Sequence, residues 1–259
     1  MSKQVLIYER VVPLSSELHR DVSVKATDNF DFARDVNSVP LLAAEFASAV
    51  SNHPIVFAGQ GEAVFPAVLL GLQDGENLAV DAAGTWTGGY VPAFLRRYPF
   101  IFAQNEGNFT LCIDETYAGI NREGRGERLF DAEGARTQFL QNMLTFVSQY
   151  QAQFERTRLF CKRLHDLNLL EPAQAQFNAA DGRSGILSGF MTINRDRLKN
   201  IPEAALKEMF ATDELELCFI HLHSLQNVTR MGVRAATSDA AGAVEDAAPV
   251  EAAVPAEVE

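Results

Sequence analysis

The segment LCFIHLHSLQN, residues 217–227, places His221 and His223 one residue apart. Imidazole nitrogens ligate zinc and iron, so the pair raises metal chemistry, but only for one backbone conformation. On a strand the two side chains share a face about 7 Å apart and could hold one ion. On a helix they diverge by about 200° and cannot. Asp213 with Glu216 three residues later has the form of an N-cap, and Leu215, Cys218, Phe219, Leu222, Leu225 and Val228 keep a three–four rhythm. The spacing favours the helix, and no metal or cofactor is expected. A metal-dependent reading through His221 and His223 stands only on the strand alternative.

The second chemical signal is GTWTGGYVPAFLRRYPF, residues 84–100, which combines the only tryptophan, Trp86, with Tyr90, Tyr98 and the pair Arg96-Arg97. Rings beside guanidinium groups can stack on a planar ligand and clamp an anion, and the same residues can equally anchor a core. Other motifs are weak. Gly59-Gln60-Gly61 starts like a dinucleotide fingerprint, but Val64 replaces the third glycine and Pro66 sits where a helix should open. No GxSxG or lysine-bearing phosphate loop is present. Asp114, Glu115, Asp131 and Glu133 read as solvated loop acids.

Composition limits the function classes. The 259 residues are 47% hydrophobic, ample for a packed core. The net charge of −12 opposes broad contact with nucleic acid or anionic lipid. The longest apolar run, residues 63–72, is half of the roughly 20 residues a membrane helix needs, so no membrane span is expected. Cys112, Cys161 and Cys218 lie far apart and read as reduced core thiols. The N-terminal MSKQVLIYERVV lacks the apolar stretch of a secretory signal, which points to a cytoplasmic address.

Those side chains need elements to hold them. VLIYERVV, DVSVKA, HPIVFAG, AVLLGL, NLAVDA, YPFIFAQ and FTLCIDE read as short strands, with one helix over 39–52. From 135 to 170 an uninterrupted stripe carrying Phe139, Met143, Phe146, Tyr150 and Phe154 predicts a long helix or helix pair packed on the sheet. GILSGFMTIN then reads as a strand and the remainder as two helices. The expected fold is α+β, a mainly antiparallel sheet in the N-terminal half with a helix-rich C-terminal half, forming one compact domain over 1–234. From about Thr237 the composition turns to alanine, proline and acids, so 235–259 is expected to be a disordered tail. Its six acids supply half of the net charge.

The segments YERVVPLSSELH, VPLLAAEF, HPIVF, NLAVDAAGTW, YVPAFLRRYPF, LCIDE, GERLFDAEG, SGFMTIN and HLHSLQN resemble, in order and spacing, the bacterial SapC family named from a surface-layer locus, over residues 5–232. The peptide-transporter permease of the same name is a different protein. The resemblance implies a soluble accessory or binding protein of a surface-layer, export or nutrient-uptake system. It suggests partners among proteins encoded nearby: TonB-dependent receptors, halogenase-like and cupin-like proteins. It carries no catalytic set, so catalytic residues are unassigned. The expected ligand or partner contacts are His19, Trp86, Tyr90, Arg96, Arg97, Tyr98 and His223. The alternative is an enzyme acting on an anionic small molecule or peptide, with a site assembled from His19, Arg96, Arg97 and His223.

Overall fold

The computed structural model describes residues 6–105, 108–178 and 182–232. The expected tail, 235–259, lies outside them. In chain order the strands are β1 (Val11–Pro13), β2 (Ser23–Val24), β3 (Ser38–Pro40), β4 (Ile55–Ala58), β5 (Phe65–Leu69), β6 (Phe100–Asn105), β7 (Asn108–Asp114), β8 (Ile120–Asn121), β9 (Glu127–Arg128), β10 (Leu170–Asn178) and β11 (Ser184–Ile193). The helices are α1 (Ser16–His19), α2 (Phe46–Ala49), α3 (Ala93–Arg96), α4 (Gln138–Asp166), α5 (Arg195–Lys199), α6 (Glu203–Ala211) and α7 (Glu214–Ser224). The strands form antiparallel sheets in the orders β1-β7-β6, β8-β2-β9 and β10-β11-β4-β5-β3. The fold is α+β, with antiparallel sheets built first and helices dominating later.

Several local expectations are corrected. NLAVDA is not a strand: it turns, held by the bridge Val80↔Trp86 and by Leu78 N–H donating to Leu70 O at 2.8 Å. The helix over 39–52 shrinks to a 3-10 turn, Ala43–Glu45, followed by the single turn of α2. Helices α5, α6 and α7 follow β11 where two were expected, and residues 227–232 are helical as well. The apolar stripe of α4 runs on into Leu169 and Leu170, which concealed β10. Asn168, at φ 51°, takes the left-handed conformation that ends the helix, and β10 then pairs with β11. The hairpin joins the N-terminal sheet through Met191↔Phe57.

Helix α4 starts where the Thr137 side chain accepts from Leu140 N–H, satisfying one of the helix's free amides. It buries Leu140, Val147, Tyr150, Thr157, Phe160, Cys161 and Leu164. Phe139, Met143, Phe146 and Phe154 from the expected stripe are only half-buried, because the contacting face is turned toward Val147 and Phe160. Phe160 meets Phe46 of α2 and Phe57 of β4 with ring centroids 6.3 and 6.4 Å apart. The three cysteines are free and buried.

Candidate functional site

Residues 214–224 are helical, which answers the question raised by the two histidines. His221 is fully buried: its Nε2 accepts from Ile193 N–H at 3.1 Å and its ring lies 4.9 Å from Phe57. His223 is exposed and contacts Gln226. The helix turns the two apart, so the metal-dependent reading through this pair fails, and among the described residues no group of three or more metal-ligating side chains is gathered. Asp213 stands at the expected N-cap position, but at φ 61° its side chain makes no capping bond. The conspicuous HLHSLQN run instead sews helix to sheet. Ser224 Oγ accepts from Ile55 N–H at 2.9 Å, and Asn227 Nδ2 donates to Val50 O and His53 O at 2.7 and 3.1 Å. Buried backbone groups at strand ends need such partners.

The two arginines of the aromatic segment have opposite environments. Arg97 is 3% exposed and enclosed by rings, its guanidinium carbon 4.4 Å from the centroid of Tyr150, 4.6 Å from Phe94 and 5.7 Å from Tyr8. It is a core cation held by ring quadrupoles, so its expected role as a ligand contact is corrected. Arg96 is exposed, its guanidinium packed over Tyr90 and Phe146 at 5.7 and 5.5 Å, and it donates to Val91 O and to the Tyr90 hydroxyl.

Behind them lies a carboxylate that sequence reasoning did not single out. Glu45, 6% exposed, accepts from Leu42 N–H, Ala93 N–H and the Tyr90 hydroxyl at 3.0, 2.7 and 2.8 Å. It fixes the start of α3 and therefore the place of Arg96. Burial, with the Glu45 charge beside it, pushes the Tyr90 hydroxyl up to about 12.

One concave region among several forms between β2, the 26–32 loop, α3 and the 115–125 loops. A cleft of about 550 Å³ is lined by Glu9, Lys25, Asn29, Tyr98 and Tyr117 among others. Beside it is a narrower slot of about 220 Å³ lined by Val24, Phe30, Leu95, Phe100, Phe139 and Met143, with Arg96 and Glu127 also in its lining. Thr27, Phe32, Tyr98 and Tyr117 belong to both cavities. Phe32 stacks on Tyr98 at 4.4 Å, and Tyr98 meets Tyr117 edge-on at 5.3 Å. Trp86 stands behind this wall, 5.4 Å from Phe30 and bonded through Nε1 to Gly89 O.

Asp114 braces the wall. Expected as a solvated loop acid, it is fully buried and accepts from Glu9 N–H, Arg10 N–H, Thr116 N–H and Thr116 Oγ1. Burial alone would raise its carboxyl, yet those hydrogen bonds together hold it below its ordinary value. Partial burial, with the Asp114 charge nearby, pushes the Tyr98 hydroxyl up to about 12. Asp114→Asn is expected to cost on the order of 1–3 kcal/mol, because one oxygen is replaced by a donor facing donors. Urea unfolding at neutral pH measures it.

The expected contact residues are thus partly assembled. Tyr98 and Arg96 line the slot, with Tyr90 under Arg96 and Trp86 behind Phe30. His19 lies elsewhere, 2% exposed, its Nδ1 against Ser15 and its Nε2 3.8 Å from Glu115. His19 and His223 line neither cavity, and Arg97 is sealed in its cage. The four-residue enzyme constellation therefore does not converge. Lys25, Phe30, Phe32 and Tyr117 were missed. The doublet Phe30-Asp31-Phe32 was the available signal, but no adjacent cation marked it.

Fold and cleft together define an α+β protein with an aromatic-walled, polar-rimmed pair of cavities beside its smaller sheets. The SapC family model matches residues 14–231, and the chain belongs to the SapC family. No curated protein and no solved structure matches it. Among the described residues no helix is long and apolar enough to cross a membrane.

Proposed function

We propose that this SapC-family chain is a non-catalytic accessory or binding protein of a bacterial surface-layer, export or nutrient-uptake system, working in the cytoplasm and taking its ligand in the aromatic cleft. The observation that carries this reading is the pair of neighbouring cavities that share the wall of Phe32, Tyr98 and Tyr117. Rings supply apolar area at low entropic cost, and a few fixed polar groups set orientation, which is the composition of a recognition site. The polar side chains nearest the wall serve structure: Asp114 and Asn121 spend their bonds on loop backbone. Three unpaired thiols fit a reducing compartment. By family resemblance the proposed partners are the TonB-dependent receptor, halogenase-like and cupin-like proteins encoded nearby.

The test uses Thr27→Arg, which places a long side chain at an exposed position common to both cavities. Tagged wild type and variant, with matching circular dichroism, are recovered from the native host after crosslinking, and bound proteins and small molecules are identified by mass spectrometry. Loss from the variant of a species bound by wild type is expected. Recovery of every species at full yield overturns the cleft as the recognition site.

A further inference from the structure

We propose that strand β10 pairs antiparallel with β10 of a second copy of this chain, making a two-fold dimer whose sheet runs through both molecules. The inference is independent of the cleft. β10 ends its sheet: among the described residues it pairs with β11 on one side and with no strand on the other. An open edge is a row of unbonded amides and carbonyls, which extended backbone matches at every second residue. The occupant that fits it is another strand.

Two observations tell which groups face that edge. Pro172 has no amide hydrogen, and a strand accepts proline where the position points away from its neighbour. Ile193, opposite Leu170, sends its N–H to His221 instead of to β10, so the Leu170 position also points outward. Backbone direction alternates along a strand, so Gln174 and Gln176 present their N–H and C=O groups to the open side. Edges are ordinarily blunted by charge, proline or a bulge. Here Glu171 is tied to Asn194 and Pro172 follows it, but from residue 173 to 180 the sequence has neither a charge nor a proline. The bulge lies in the other strand. Register passes from Ala173↔Phe190 to Ala175↔Leu187, two steps on β10 against three on β11, and Gly189 at φ 87° takes up the extra residue. β10 is left regular, with Ala173, Ala175 and Phe177 half-buried on one face and Gln174 and Gln176 exposed on the other.

The composition of this edge selects a second copy. A chain of net charge −12 repels itself, and a two-fold axis sets like residues close to one another, so self-pairing requires a neutral strand. β10 supplies one, and its glutamine amides, each both donor and acceptor, can bond to their counterparts across the axis. The hairpin gains as well. Its inner face joins the cluster around Phe190 and Met231, but β11 meets the rest of the sheet through the register pair Met191↔Phe57, which leaves most of the hairpin a two-stranded ribbon. Such a ribbon is marginal by itself, and two copies make four strands. The chain's own residues after 232 are rich in alanine, proline and acids, a composition poor in strand formers.

Sedimentation velocity of the full-length chain, from low micromolar to the highest attainable concentration, tests the dimer. A monomer–dimer equilibrium is expected, with hydrogen exchange of the peptide spanning Gln174 and Gln176 slowing as the dimer forms. The double variant Gln174→Lys/Gln176→Lys changes only exposed side chains and sets like charges across the axis. It is expected to keep its circular dichroism and to dimerise about tenfold more weakly or worse. A chain that stays monomeric at every concentration overturns the proposal, and so does a dimer whose protected amides lie elsewhere or that the lysine variant leaves intact. Slow exchange of this peptide in a monomer also overturns it, assigning the edge to the segment after residue 232. Should the lysine variant misfold, the exchange pattern of the wild type decides.

Discussion

Replacing Phe160 by alanine is expected to destabilise the protein by on the order of 3–5 kcal/mol, the cost of a buried aromatic side chain lost with little room for collapse. Phe160 is 2% exposed and joins the long helix to two other elements, meeting Phe46 on α2 and Phe57 on β4. Both neighbours are themselves fully buried, so neither can shift to close the void without opening another. Phe146, which the sequence stripe placed against the sheet, is half-buried and shares its ring with the exposed Arg96. Its removal is expected to cost roughly 1–2 kcal/mol, in keeping with partial burial. Equilibrium urea unfolding of both variants measures the difference, and equal costs would mean that the face of α4 has been assigned wrongly.

The second large effect is on acid stability. Burial pushes the His221 imidazole down from 6.5 to about 4, with the Ile55 backbone restoring only part of the loss. The folded state therefore holds this ring neutral where the unfolded chain would protonate it. Stability from this group is complete above pH 6.5 and declines as pH falls toward 4, because over that window the unfolded state binds the extra proton. The span corresponds to on the order of 3 kcal/mol. His221→Gln keeps an acceptor for Ile193 N–H and removes the titration, so its stability is expected to vary much less between pH 6.5 and 4. A variant as acid-sensitive as wild type would show that other groups govern this range. Asp114 acts lower: its depressed carboxyl gives stability present above its ordinary value of 3.8 and lost as pH falls through the folded value.

The same two residues show how much of the molecule was legible beforehand. The rhythm around His221 correctly indicated a helix, since a three–four pattern reflects which residues of one turn face a core. It could not show that Ile193, 28 positions away, supplies the amide that the imidazole accepts. Asp114 looked like the end of a strand, and it is one. That its carboxylate is buried follows from the N-terminal chain crossing over it, with Glu9 N–H and Arg10 N–H donated across more than 100 residues. Arg96 and Arg97 are indistinguishable as text, yet one turn of α3 sends one to the surface and the other into a cage of Tyr8, Phe94 and Tyr150.

By itself the sequence determined what depends on short-range pattern: the α+β class, the long helix, the helical setting of the two histidines, most strands and, through the order of its recognisable segments, the SapC family. Periodicity and turn chemistry are local, so they are readable along the chain. Only the tertiary structure decided the β10 strand, the division of labour between the two arginines, the burial of Glu45 and Asp114, and the existence of the cleft. Each of these is set by which distant segments pack together. The wall of Phe32, Tyr98 and Tyr117 draws on three separate stretches of chain, and no spacing within any one of them encodes the contact.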